Sequence, residues 1–298
     1  MLDSFTFWIN RDILSLIESV LTSFMLPKPT SKSIPPSKGL GQHFLIDKGV
    51  LAKIVAAADL QPDDNVLEIG PGLGVLTLEL AKRAKKVVAV EKDPRLIPIL
   101  RENLTNHKNV EIVQKDVLKI GNWNLIENWK LEIGNYKVVA NLPYYIASPT
   151  IRMFLEMEEQ PKLMVLMVQK EVAKRITAKP PKMSILAVSV QFYAEAKIIS
   201  YVSKKSFRPR PKVDSAIIKI IPKAQSIQTP DVCMFFNIVK TGFAQPRKQL
   251  INNLSTGLSI GKEQIKKWLL KNNIKPTQRA ETLTMENWLN LTKSFKIE

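Results

Sequence analysis

Short apolar runs alternate with helix-forming stretches through the middle of this 298-residue chain. Val66-Leu67-Glu68-Ile69, Val87 to Val90, Val110 to Val113, Val138 to Ala140 and Leu163 to Val168 are apolar at nearly every position. They are too short for helices, and strands apolar on both faces are covered on both faces. Leu51 to Ala58, Val75 to Arg83, Pro94 to Asn103 and Ser148 to Glu156 carry helical spacing between them. The alternation predicts an α/β fold, a parallel sheet sandwiched by helices. Phe192 to Val202 and Ser215 to Ile221 predict two more strands, paired at one edge. In such a sheet ligands bind outside the carboxyl ends of the strands, so function is sought there.

The flanks follow other patterns. Pro222 to Pro230 reads as a linker, and beyond it the periodicity is helical only: Val232 to Phe243, Arg247 to Leu254, Glu263 to Lys271 and Met285 to Lys293. Residues 26–38 form a basic Pro/Ser stretch that cannot bury a core. Met1 to Met25 is apolar in patches, but Asp3, Asp12 and Glu18 interrupt it, which fits neither a secretory signal nor a transit peptide. It reads as an accessory helix, or as sequence upstream of a start at Met25. The expected division is an extension over 1–38, an α/β domain over 39–222 and a small all-α domain over 223–298.

Charge narrows the partner. Lys and Arg number 44 against 27 Asp and Glu, a net +17, which predicts a polyanion, nucleic acid before a membrane surface. No run is long and apolar enough to span a bilayer. The one cysteine, Cys233, excludes an intrachain disulfide and a Cys-based zinc site, and His43 and His107 match no metal spacing. No metal is expected, and this cysteine usage fits a reducing, cytoplasmic setting.

The strand ends carry the chemistry. The first ends in Glu68-Ile69-Gly70-Pro71-Gly72-Leu73-Gly74, where glycines permit a tight turn and close approach of a ligand to the backbone. Its Gly-x-Gly-x-Gly spacing differs from the Gly-x-Gly-x-x-Gly of dinucleotide binders. The second ends in Glu91, an acid placed to take both hydroxyls of a ribose. After the third comes Asp116, which as an acceptor could receive the exocyclic amine of an adenine; alone it is equally a cap or turn residue. The fourth ends in Asn141-Leu142-Pro143-Tyr144-Tyr145. That group supplies an amide, a rigid turn and a ring able to stack on a nucleobase, a pocket for the amino edge of a base. Together the four ends suit a nucleoside cofactor across the first three strands and a reacting group at the fourth. A dehydrogenase needs no such pocket, and no His or Lys is placed as its hydride-transfer acid.

With Gly41-Gln42-His43-Phe44-Leu45 and Phe207-Arg208-Pro209-Arg210-Pro211-Lys212-Val213-Asp214-Ser215, these motifs resemble the KsgA-type rRNA adenine N6,N6-dimethyltransferases from about Leu40 to the C-terminus. The related Erm-type enzymes, which methylate large-subunit rRNA, share most of them; Leu142, usually Ile in that branch, leans toward the KsgA type. The resemblance implies a Rossmann-like class I methyltransferase sheet over 39–222 with an all-α C-terminal domain. It implies S-adenosylmethionine as cofactor, held by His43, Leu45, Gly70, Glu91, Asp116 and Asn141. His43 stands where many relatives carry Asn, and read alone it would be a core or capping histidine. The implied substrate is two adjacent adenosines near the 3′ end of small-subunit rRNA in an assembling subunit, with the enzyme acting as a monomer away from membranes.

The expected catalytic group is Asn141, Leu142, Pro143, Tyr144 and Phe207. The Asn141 side-chain oxygen and the Leu142 carbonyl would accept the two protons of N6, with Tyr144 stacked on the base and Phe207 on its other face or closing the pocket. RNA phosphates are expected at Lys170, Lys174 and Arg175, at Lys204, Lys205, Arg208 and Arg210, and at Arg247 and Lys248. Pro246 stands where relatives usually carry Arg and should break or start a helix. Pro276, Arg279, Ala280 and Glu281 match the resembled tail and read as structural. The competing expectations are an Erm-type enzyme, a ribosome-assembly factor without catalysis, and an NAD-dependent oxidoreductase.

Overall fold

A computed structural model describes residues 35–37, 39–119, 135–223 and 231–295. The readings of Met1 to Met25 and of most of both linkers lie outside the described residues. Nine strands are described: β1 (Phe44–Leu45), β2 (Asn65–Ile69), β3 (Lys86–Glu91), β4 (Val110–Gln114), β5 (Tyr136–Asn141), β6 (Leu163–Gln169), β7 (Ala194–Val202), β8 (Phe207–Arg208) and β9 (Ser215–Pro222). Seven of them form one sheet in the order β4-β3-β2-β5-β6-β9-β7. The first five of these pair in parallel, and β9 runs antiparallel to β6. All five residues of β2 are buried, as are six of the seven in β6, as their apolar runs require. The two late strands are neighbours, with β7 at the edge.

The helices are α1 (Lys48–Ala58), α2 (Val75–Ala81), α3 (Ile97–Asn103), α4 (Ala147–Glu156), α5 (Lys170–Ile176), α6 (Ile185–Tyr193), α7 (Val232–Gly242), α8 (Leu250–Leu258), α9 (Lys262–Lys271) and α10 (Met285–Ser294). Asp47 caps α1 by accepting the Val50 N–H, and Asp59 ends it in the left-handed region at φ 47°. Below the sheet Lys137 donates to the Ala58 and Asp59 carbonyls and pairs with Asp64 at 2.7 Å. One buried ammonium thus serves both the open end of a helix and a buried carboxylate.

The described residues form two compact units. The first holds those up to Ala173 and Lys197–Ile221; the second holds Lys174–Ala196 and those from Pro222 on. By its packing 174–196 thus goes with the C-terminal helices, whereas the sequence division at 222 put it with the sheet. Its helix α6 explains why. Ser184 caps it by accepting the Ala187 N–H, and Ala187, Val188 and Phe192 enter a core with Phe235, Ile238, Leu254 and Trp288. The expected strand from Phe192 therefore starts two residues later, at Ala194. Burial against a helical core overrides the β-branched composition of the run.

In the second unit, Gly242 lets α7 approach α10: a Cβ there would lie 2.5 Å from Trp288 Cη2. The helix expected from Arg247 begins at Leu250, because Pro246 sits in a turn closed by the Lys248 N–H on the Gln245 carbonyl. Arg279 and Glu281 lie 3.9 Å apart around the buried Ala280.

Candidate active site

Each element feeding the carboxyl rim is shaped by its own residues. After β2 the chain turns at Gly70, Gly72 and Gly74, whose φ values are +68°, +61° and +83°. Glycine takes that region without strain, and at Gly72 a Cβ would press on the Phe44 ring at 3.2 Å. Glu91, at the tip of β3, accepts the Gly72 N–H through Oε2 at 3.1 Å and the Asp93 N–H through Oε1 at 2.8 Å. It locks the glycine turn to the neighbouring strand, and the Lys92 N–H bonds the same carboxylate. Burial raises its pKa above the usual carboxylate range despite those bonds.

Asp116 follows β4. Its Oδ1 accepts the Leu118 N–H, and its Oδ2 pairs with Lys92 Nζ at 2.9 Å. Burial opposes ionisation of Asp116, but the Lys92 and Leu118 hydrogen bonds outweigh it and lower the pKa. Asn141 ends β5, and Pro143, at φ −54°, sends the chain into a short turn over Tyr144–Ile146. Asn141 Nδ2 donates to the His43 carbonyl at 3.2 Å, which anchors the amide by its nitrogen and leaves Oδ1 as an acceptor.

The segment before β1 straps the rim. Gln42 Nε2 donates to Asp93 Oδ2 at 2.8 Å, and His43 Nδ1 donates to the Pro209 carbonyl at 2.7 Å. A carbonyl can only accept, so Nδ1 carries the proton. Strand β1 pairs antiparallel with β8, setting Phe44 opposite Arg208 and Leu45 opposite Phe207. The Tyr144 and Ser215 hydroxyls share a 2.7 Å hydrogen bond, which fixes the Tyr144 ring 5.9 Å from that of His43. Burial raises the Tyr144 pKa, so the phenol stays neutral.

His43, Leu45, Gly70, Glu91, Asp116, Asn141, Leu142, Pro143, Tyr144 and Phe207 all line one open cleft of about 1100 Å³, mouth included. Phe207 does so as a packed wall. It is 1% exposed and belongs to the core with Leu45 and Val202, so it offers the cleft no free ring face. Of the basic candidates, Lys204, Lys205, Arg208 and Arg210 are exposed in the first unit. Lys174, Arg175, Arg247 and Lys248 are exposed in the second.

Sequence reasoning passed over several residues of the rim. Gln42 braces Asp93, and Lys92 neutralises Asp116. Glu68 lines the cleft from inside β2, 1% exposed, with Oε2 lacking a hydrogen-bond partner among the described residues. An acid within an apolar strand was a legible signal. Among the described residues no cluster of three His, Cys, Asp or Glu could hold a metal, and no helix is long and apolar enough to cross a membrane.

The model of the family described as ribosomal RNA adenine dimethylase matches residues 37–296. The chain is 48% identical over 252 residues to the ribosomal RNA small subunit methyltransferase A of Dehalococcoides mccartyi strain 195, covering 84% of this chain and 85% of that protein. It is 43% identical to the protein of that name from Geobacillus sp. strain WCH70, covering 87% and 91%. Among solved structures, a dimethyladenosine transferase from Plasmodium falciparum superposes with a TM-score of 0.70 at 29% identity, covering 84% of this chain and 96% of that one. The 23S rRNA methyltransferase ErmE does so at 0.69 and 29%, covering 84% and 98%. The sheet is therefore the Rossmann-like sheet of methyltransferases, and the chain belongs to the ribosomal RNA adenine dimethylase family.

Proposed function

We propose that this protein transfers methyl groups from S-adenosylmethionine to N6 of two adjacent adenosines near the 3′ end of small-subunit rRNA, dimethylating each during subunit assembly. It acts as a cytoplasmic monomer, with the sheet unit as the methyltransferase domain and the C-terminal helices, joined by 174–196, as the helical one. The observation that carries the reading is Asn141, tied by Nδ2 to the His43 carbonyl and keeping Oδ1 as an acceptor at the end of the fourth parallel strand. The names of the curated relatives, which specify the small subunit, favour that RNA.

The cleft fits S-adenosylmethionine. Glu91, a carboxylate at the tip of its strand that lines the cleft, suits the vicinal hydroxyls of a ribose. Asp116 is an acceptor for the adenine amine, and the glycine turn leaves backbone rather than Cβ facing the cleft. His43, Leu45, Gly70 and Asn141 complete the set. When bound, the cofactor supplies an electrophilic methyl group on a sulfonium.

The chain's own residues then position the nucleophile. The N6 lone pair is delocalised into the adenine ring, and the amine is too weak an acid for a side chain to deprotonate first. Asn141 Oδ1 and the Leu142 carbonyl accept hydrogen bonds from the amine N–H groups, two before the first transfer and one before the second, which turns the lone pair toward the methyl group and favours the positive charge that develops on nitrogen. Tyr144, held by Ser215, stacks on a base that has left its RNA stack, and Phe207 closes the wall behind it. The proton shed after transfer leaves through the open mouth to solvent.

The test is transfer of labelled methyl to small ribosomal subunits lacking this modification, with large subunits and Asn141→Ala as controls. Dimethyladenosine in small-subunit RNA, absent with the variant, is expected. Label in the large subunit would move the protein to the Erm-type reaction. No label in either would leave an assembly factor.

A further inference from the structure

Tyr201 lies outside the cleft, and no role described so far involves it. It is 54% exposed, at the end of edge strand β7. Among the described residues, Tyr145 at the cleft and Tyr201 are the aromatic rings that stand most open to solvent. A single exposed apolar side chain is ordinary. The surroundings of this one are not. Lys170 Nζ sits 5.3 Å from the ring centroid. Lys170 directly follows the carboxyl end of β6, so the ring lies on the rim that bears the cleft. The turn Lys204–Ser206, exposed at Lys204 and Lys205, begins three residues after Tyr201.

A short chain of contacts ties this ring to the base pocket. The Lys170 N–H donates to the Asp214 carbonyl at 3.0 Å, and Asp214 Oδ1 accepts the Lys204 N–H at 3.1 Å. The next residue, Ser215, holds the Tyr144 hydroxyl. Lys170, Lys204, Lys205, Arg208, Arg210 and Lys212 supply six cations along this stretch, against Asp214, whose Oδ2 lies 4.0 Å from Lys170 Nζ. An open ring face among cations, beside a pocket for one base, is the construction of a single-strand stacking platform.

We propose that Tyr201 with Lys170 is a second stacking station, which takes the base of a nucleotide flanking the target adenosine while Lys204 and Lys205 hold its phosphates. The proposal rests on the reading of the cleft as a site for a flipped RNA base. It gives the splayed strand a place to rest outside the pocket.

Steady-state kinetics with unmethylated small subunits test it. Tyr201→Ala should raise KM for the subunit by about fivefold or more, the effect of losing one base stack. KM for S-adenosylmethionine and Tm should stay unchanged, and Tyr201→Phe and Tyr201→Trp should keep wild-type KM because they keep the ring. Lys204→Ala, which removes a proposed phosphate contact, should flatten the salt dependence of binding by about one counterion. Ultraviolet crosslinking should attach a nucleotide to the peptide that carries Tyr201. A Tyr201→Ala subunit KM within twofold of wild type overturns the proposal, as does a Tyr201→Phe defect equal to that of Tyr201→Ala. Equal rises in both KM values, or crosslinks from this peptide to a ribosomal protein only, also overturn it. If the wild type labels no small-subunit RNA, the reading of the cleft fails first, and that outcome is visible without any variant.

Discussion

Glu68 should make the first unit less stable as pH rises, and Glu68→Gln should remove that dependence. The residue lies in a strand with every position buried, and it is 1% exposed itself. Burial pushes its pKa from 4.5 to about 8; the Thr77 hydroxyl opposes the shift and the Glu91 charge adds to it. At pH 7 the folded protein therefore keeps a proton that the unfolded chain has released. Between pH 4.5 and 8 the native state binds more protons, so stability falls as pH rises. Each pH unit in that window is worth about 1.4 kcal/mol, and the 2.5 units from 4.5 to 7 give about 3 kcal/mol. Gln keeps the neutral shape and a donor but does not titrate. The variant should match wild type near pH 4, exceed it by about 3 kcal/mol at pH 7, and gain no more above pH 8. Hydrogen exchange of the β2 and β5 amides reads this unit directly, whereas Trp268 and Trp288 would report the other one. Parallel stability curves for the two proteins from pH 5 to 8, or a constant loss in the variant, would refute the buried neutral carboxyl.

Asn141→Ala should lower kcat at least about a hundredfold with Tm unchanged, because the amide is proposed to act on the reacting amine and ends its strand half-buried. Glu91→Ala should raise KM for S-adenosylmethionine, and calorimetry on the wild type should show affinity falling as pH drops through the raised pKa of Glu91, since the carboxylate is the form proposed to take the ribose hydroxyls. Lys137→Met leaves Asp64 buried and unpaired and should cost about 3–5 kcal/mol, part of it regained when Asp64 is also made apolar. Gly242→Ala drives a Cβ to 2.5 Å from Trp288 and should cost the helical unit about 1–3 kcal/mol, seen as a lower midpoint in Trp fluorescence.

The sheet was legible because its central strands β2, β3, β5 and β6 are buried on both faces, so their apolar runs needed no partner to interpret. The rim residues were legible for a related reason. Once the strands are placed, Gly70, Glu91, Asp116 and Asn141 fall at strand ends, and a parallel sheet gathers those ends on one edge. Helix α6 was not legible. Ile185 to Tyr193 is apolar and rich in branched and aromatic residues, and only the core around Phe235 and Trp288 makes it helical. The start of α8 was missed because Pro246 closes a turn before the helix rather than opening it.

What the sequence concealed most completely is the bracing of the site. Gln42 reaches Asp93 across 51 residues and His43 reaches Pro209 across 166, and neither bond leaves a local pattern. Yet these bonds give the motif Gly41-Gln42-His43-Phe44-Leu45 a physical reason. Gln42 fastens the strap to the acid-bearing turn after β3, His43 fastens it to the Arg208–Arg210 segment, and the His43 carbonyl fixes the Asn141 amide. The proposed acceptor is therefore oriented by a segment that itself lines the cleft. Loss of the His43 ring should loosen the Phe207–Pro211 wall and raise KM for RNA while the backbone bond to Asn141 persists. A His43→Ala variant that lost cofactor binding alone, with RNA KM unchanged, would show that the ring serves only the cofactor.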